Sequence, residues 1–276
     1  MLPNLLVIGA PKCGTTSLHS YLAQHPDVSM SDPKELRYFW RDDWLESRQW
    51  YESHFRPEAR VRGESTPAYS MWPVRRNVPE RAAQLVPDAK IIYLVRDPID
   101  RVLSHYYQRL ADGFRAPLRS YIDSVEEPSN VLVCPSRYKT QLDRWMVYFD
   151  ISQLLVVECD ELKVDRASVI AGVLRFLALP GSSDLELRSE LNRAEDKYRL
   201  TRGGRMASRL GMWRVSKHVP EALKAPIRPQ IRSRLFGKVE STTLDATSLR
   251  RLKAHLRPEA EAFRELIKRD FANWSV

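Results

Sequence analysis

Short apolar runs alternate with helically spaced apolar positions along most of this chain. Leu5–Ile8 is a continuous apolar run ending at Gly9, the pattern of a strand covered on both faces. From Thr16 to Gln24 the apolar positions Leu18, Tyr21 and Leu22 recur at helical spacing, and His25-Pro26 ends the segment. The unit repeats at Ile91–Val95, with turn chemistry before it at Pro87-Asp88 and Arg96-Asp97-Pro98 after it. Pro98 suits the first helical position with Asp97 as N-cap, and Ile99, Val102, Leu103 and Tyr106 then share one face. A helix over Tyr138–Phe149 aligns Leu142, Trp145, Met146 and Phe149 and leads into a third strand, Leu154–Val157. Helical spacing returns at Ser168–Leu177 and Ser248–Phe271, the latter carrying Leu249, Leu252, Leu256, Phe263, Leu266 and Ile267. Strands alternating with helices predict an α/β fold of three layers, with a central, mainly parallel sheet flanked by helices.

No internal repeat or low-complexity linker divides the 276 residues, so one domain over 1–276 is expected. Residues 193–238 break the pattern, with Gly203-Gly204, Pro220, Pro226 and Pro229, and read as an irregular basic lid or insertion. That stretch also concentrates the charge. It holds 13 Lys/Arg against three acids (Glu195, Asp196, Glu221), in a chain of net charge +9. Such a balance calls for an anionic ligand, a nucleic acid or a membrane surface. Tyr198, Trp213 and Phe236 are its only aromatics, too sparse for base stacking, so no nucleic-acid partner is expected. Peripheral membrane contact stays open. No apolar run reaches the roughly 20 residues of a membrane span, and Met1–Ala10 lacks the basic and apolar regions of a secretory signal. Cys13, Cys134 and Cys159 have no metal or CxxC spacing. Free thiols and a cytoplasmic location are therefore expected, with no metal required.

The candidate chemistry begins at Gly9-Ala10-Pro11-Lys12-Cys13-Gly14-Thr15-Thr16-Ser17. A strand that ends in a glycine-bearing turn and opens a helix offers free backbone N–H groups at a positive dipole end. Gly9-x4-Gly14 followed by hydroxyl residues has the spacing of a nucleotide P-loop, which makes the expected fold P-loop-like. The lysine is displaced: Thr15 follows Gly14, and Lys12 sits inside the loop. One lysine at a bridging oxygen, with neutral hydroxyls on the phosphate, suits transfer of a group carrying less charge than a phosphoryl group.

Pro11–Leu18 (PKCGTTSL) resembles the 5′-phosphosulfate loop, PKxGTTxL, of sulfotransferases that use 3′-phosphoadenosine-5′-phosphosulfate (PAPS). Arg96-Asp97-Pro98-Ile99-Asp100-Arg101-Val102-Leu103-Ser104 is similar to the same family's 3′-phosphate motif. Tyr138–Phe149 with the following LLVVE, and Leu266–Trp274, extend the likeness over nearly the whole chain. The resemblance implies a sulfotransferase with PAPS as co-substrate. It places Lys12, Cys13, Gly14, Thr15, Thr16, Ser17, Arg96 and Ser104 around the nucleotide, with Arg202 and Gly203 as a late basic glycine loop. Pro33–Phe39 resembles the KEPHFF segment of heparan sulfate and related carbohydrate sulfotransferases, which makes Glu35 the expected base and His105 the weaker alternative. Lys34, Arg37 and Tyr69 are the expected substrate contacts.

Gly63–Tyr69 resembles the family's GEKSPxY segment, and three positions depart from the family's pattern: Ser65 replaces that segment's lysine, Arg37 the KEPHFF histidine, and Cys159 an aromatic beside adenine. A hydroxyl of a carbohydrate, a glycolipid or a small metabolite is the expected acceptor. Two other classes remain at this stage: a P-loop phosphotransferase acting on a small molecule, and a non-catalytic nucleotide or nucleic-acid binder.

Overall fold

In a computed structural model of the protein, residues 1–181, 185–186, 198–200, 236–238 and 244–276 are described. The centre is a five-stranded sheet in the order β2-β3-β1-β4-β5, with every pairing parallel. Its strands are β1 (Leu5–Gly9), β2 (Val28–Met30), β3 (Val61–Ser65), β4 (Lys90–Val95) and β5 (Leu154–Glu158). The helices α1 (Thr15–Leu22), α2 (Arg48–Glu52), α3 (Val78–Leu85), α4 (Pro98–Ala111), α5 (Leu118–Asp123) and α6 (Tyr138–Met146) cross between them. Beyond β5 come α7 (Cys159–Val164) and α8 (Arg166–Phe176). A separate antiparallel pair joins β6 (Tyr198–Leu200) to β7 (Phe236–Lys238), and α9 (Ala246–Ile267) closes the chain.

The apolar runs of β1 and β4 are continuous because both faces of these strands are covered. Leu5, Leu6, Val7 and Ile8 are fully buried, as are Ile92 through Val95. The sequence pattern shows three strands; the structure adds β2 and β3. β2 is only three residues long, and β3 reads Val-Arg-Gly-Glu-Ser, with no apolar run to mark it. α9 ends four residues before the expected Phe271, because Lys268 adopts φ 54 and turns the chain out of the helix.

The strand order reverses at β1, which has β3 on one side and β4 on the other. In open parallel sheets the crevice beyond the strands' carboxyl ends, at such a reversal, is where ligands bind. Gly9, Ser65, Val95 and Glu158 are those ends. Gly9 is required by close packing: a Cβ there would lie 1.8 Å from Ser70 Oγ. Most of the basic segment, with Arg202 and Gly203, lies outside the described residues. Among the described residues, no helix is long and apolar enough to cross a membrane.

Candidate functional site

The turn from β1 into α1 is built to leave N–H groups open. Gly14 is the N-cap at φ 86, a left-handed conformation that glycine adopts without steric cost, and no side chain caps the helix. The first amides of α1 therefore have no acceptor within the helix, and no acidic residue occupies the first turn. A Cβ on Gly14 would also come to 3.3 Å from Cys159 Sγ. Lys12 itself adopts φ 73, a strained conformation of the kind that clusters at ligand clamps. Its Nζ reaches across to α4, donating to Gln108 Oε1 at 3.2 Å, while Gln108 Nε2 donates to Asp112 Oδ1 at 2.8 Å.

A cleft of about 860 Å³ opens over this turn, within the usual range for ligand pockets. Lys12, Gly14, Thr15, Thr16 and Ser17 line one part of it, and Arg96 and Ser104 another. Arg96 follows β4 directly. Tyr138 fixes the backbone there, its hydroxyl donating to Arg96 O at 2.8 Å. The guanidinium is largely buried and pairs with Asp100 at 3.1 Å, yet its Nε is buried without a hydrogen bond among the described residues. The rest of the guanidinium lines the cleft with Asp100 as its ion-pair partner, and such a fork can offer N–H groups to an anion's oxygens. Asp97 is committed elsewhere. It caps α4 through Asp100 N at 2.9 Å and also accepts from Ser275 N.

Lys34, Glu35 and Arg37 line the remaining wall. Lys34 Nζ donates to Thr15 Oγ1 at 3.3 Å and meets Glu35 Oε1 at 3.4 Å; Arg37 reaches Glu35 Oε2 at 3.5 Å. Burial lowers the Lys34 pKa, Glu35 opposes that, and the neighbouring charge of Lys12 lowers it further. The carboxylate of Glu35 thus lines the cleft between two cations, beside the open turn that starts α1. His105 also lines the cleft, with Nδ1 3.3 Å from the buried Arg101 guanidinium.

Two expected contacts lie elsewhere. Tyr69 is buried under the cleft wall, its hydroxyl donating to Glu64 at 2.8 Å and accepting from Phe39 N at 3.3 Å, so it is not placed to touch substrate. Cys13 points into the core. Its amide donates to Ala10 O at 3.2 Å, its Sγ lies 3.9 Å from the Tyr138 hydroxyl, and burial pushes the thiol up to about 12. Four polar residues of the cleft went unread in the sequence: Gln108, Asp112, Lys163 and Arg166. The first two were legible in principle, because Ser104, Gln108 and Asp112 are spaced four apart and share a helix face. Lys163 and Arg166 carry no such signal.

A family profile described as "Sulfotransferase domain" matches residues 2–199. The chain belongs to the sulfotransferase domain family. It is 31% identical over 193 residues to the bifunctional heparan sulfate N-deacetylase/N-sulfotransferase 1 of Caenorhabditis elegans, covering 65% of this chain and 22% of that protein. It is 32% identical over 200 residues to N-deacetylase/N-sulfotransferase 3 of Homo sapiens, covering 64% and 22%. The chain thus spans about a fifth of the length of these relatives. Among solved structures, a sulfotransferase from Alicyclobacillus acidocaldarius superposes with a TM-score of 0.69 at 21% identity over 100% of both chains. That agreement establishes a shared α/β fold.

Proposed function

We propose that this sulfotransferase moves a sulfuryl group from PAPS to an acceptor hydroxyl, with Lys12 at the leaving phosphate and Glu35 at the acceptor proton. The observation that supports the reading is one cleft lined both by the open turn from Lys12 to Ser17 and by the Arg96–Ser104 pair, with the Glu35 carboxylate beside them. A nucleotide phosphorylated at both its 5′ and 3′ ends matches these two groups of residues. When bound, PAPS supplies the sulfuryl group, whose bond to the 5′-phosphate oxygen breaks as the bond to the acceptor oxygen forms. Thr15, Thr16 and Ser17 hold the 5′-phosphate with amides and hydroxyls, and Arg96 and Ser104 hold the 3′-phosphate. The Lys12 ammonium stabilises the charge that gathers on the departing oxygen. Glu35 receives the acceptor's proton, its carboxylate held in place by Lys34 and Arg37.

A phosphotransferase fits the residues less well. Thr15 stands where the P-loop lysine belongs, and Asp97, the acid after β4, is committed to capping α4 and to Ser275. An amine acceptor is a second reading. It is favoured by the N-sulfotransferase names of the curated relatives and by the Asp112 carboxylate in the cleft.

The test follows labelled sulfate from PAPS onto a panel of hydroxyl- and amine-bearing sugars, glycolipids and small alcohols. Glu35→Gln is expected to lower kcat by about 10²–10⁴-fold, the usual worth of a positioned base, while its affinity for the desulfated nucleotide PAP stays within about twofold. Turnover of Glu35→Gln within twofold of the unsubstituted enzyme, with His105→Ala inactive, would move the base to His105.

A further inference from the structure

Beneath the wall that carries Glu35 lies a carboxyl that takes no part in the chemistry above. Glu64, in β3, is fully buried. Its Oε1 accepts from the Tyr51 hydroxyl at 2.7 Å and the Tyr69 hydroxyl at 2.8 Å, and its Oε2 from the Thr66 hydroxyl at 3.2 Å. Two of these partners pass the connection on. Thr66 Oγ1 accepts from Arg37 N at 3.3 Å, and Tyr69 accepts from Phe39 N at 3.3 Å. Two backbone amides, Arg37 N and Phe39 N, therefore end on one carboxyl, each through a single hydroxyl. Just before them, Lys34 O accepts from Ser65 N at 3.3 Å and from Ser31 Oγ at 3.0 Å. Glu35 sits between these anchors, and its side chain is left facing the cleft.

We propose that Glu64, as the carboxylate, is a positioning residue that holds the Lys34–Phe39 segment in the shape that aims Glu35 at the acceptor. The inference rests on Glu35 being the base. The ionised form satisfies these bonds together. A carboxylate is acceptor-only, and the Tyr51, Tyr69 and Thr66 hydroxyls can all donate to it. Adding a proton to Glu64 puts a donor among donors, so at least one of these bonds must break or reverse; where that bond is the one to Thr66 or Tyr69, the loop loses an anchor.

Burial pushes the Glu64 pKa up to about 7, with the hydrogen bonds from Tyr51, Tyr69 and Thr66 pulling it back. The groups around it do not share that range. Tyr51 on α2 and Tyr69 after β3 are raised well above 10 by burial. Tyr38, stacked on Tyr51 with ring centroids 3.8 Å apart, is raised as well, mainly by burial. His19 on α1 reaches Ser65 Oγ at 3.0 Å, and burial lowers it to about 4, with Lys34 adding to that effect. Glu64 is thus the member of this cluster that changes charge near neutrality.

The sign of the linkage separates positioning from simple support of the fold. A carboxyl raised in the folded state contributes stability that is full below its ordinary range near 4.5 and is lost as pH rises through about 7. Activity runs the other way, since it needs the carboxylate. Between pH 8 and 6.5, above the range where His19 matters, kcat is expected to fall with pH while the melting temperature does not.

The experiment records kcat against pH for the wild type, Tyr51→Phe and Glu35→Gln, with PAP affinity and melting temperature alongside. Tyr51→Phe deletes one donor to the carboxylate from α2, away from the loop, so the acid limb is expected to move up by about one pH unit at unchanged PAP affinity. Glu64→Gln is expected to lose that limb and to turn over on the order of tenfold to a hundredfold more slowly. If Glu64→Gln does not fold, Thr66→Val tests the same chain through Arg37 N, with a lowered kcat expected. Superimposable profiles for wild type and Tyr51→Phe, with Glu35→Gln inactive, would overturn the role of Glu64 and leave the base in place. An active Glu35→Gln would instead overturn the reading on which it rests.

Discussion

Lys12→Ala is expected to bind PAP and to turn over about 10²–10³-fold more slowly than the wild type at saturating PAPS. The size follows from where the ammonium sits. Lys12 lies in the turn between β1 and α1 at φ 73, and its chain spans from that turn to Gln108 on α4. Such a conformation costs on the order of 1–3 kcal/mol and persists where the surrounding structure holds it. In the proposed mechanism, removing the ammonium deletes the charge that meets the departing phosphate oxygen. It leaves the amides of α1 and the hydroxyls of Thr15, Thr16 and Ser17 to keep the ground-state phosphate. The loss should therefore appear in kcat rather than in nucleotide affinity, the signature of an interaction made mainly in the transition state. Single-turnover sulfuryl transfer beside calorimetric PAP binding separates the two. A matched loss of affinity, with kcat intact, would make Lys12 an ordinary phosphate contact.

Arg96→Ala carries the second large effect, and it should discriminate between nucleotides. The guanidinium is mostly buried, holds Asp100 at 3.1 Å and keeps a buried Nε without a hydrogen bond among the described residues. A charged hydrogen bond is worth about 1.5–3 kcal/mol, so PAP affinity should fall roughly 10- to 150-fold. Adenosine 5′-phosphosulfate, which lacks the 3′-phosphate, should lose at most about twofold. Equal losses for both nucleotides would remove Arg96 from the 3′-phosphate and make it a general electrostatic or structural contributor.

The positions of both residues, each just after a central strand, could be placed from the sequence for the same reason. A functional group at the carboxyl end of a buried parallel strand follows a continuous apolar run, and the runs at Leu5–Ile8 and Ile91–Val95 mark Lys12 and Arg96 from outside. Ser104 came with Arg96 from the family resemblance of the Arg96–Ser104 segment. Legibility failed where burial contradicts residue type. β3 contains Glu64 in a fully buried position, so no apolar pattern announced the strand. Tyr69 was expected at the substrate because it lies in a motif near Glu35, but its hydroxyl is needed by that buried carboxyl. Cys13 sits within the phosphate loop in sequence, yet the left-handed turn at Lys12 and Gly14 leaves its side chain in the core. Sequence adjacency to a ligand loop does not say which way a side chain faces. The face of α4 that carries Gln108 and Asp112 could have been read from Ser104, whereas Lys163 and Arg166 reach the cleft only through the packing of α7 and α8 after β5.

The most direct test of the account is a calorimetric titration of the wild-type protein with PAP and, side by side, with ADP and magnesium. A cleft with two anion sites and its lysine inside the turn predicts that PAP binds at least about tenfold more tightly, and that Arg96→Ala removes most of the difference. Equal or tighter binding of ADP with magnesium, unaffected by Arg96→Ala, would contradict it.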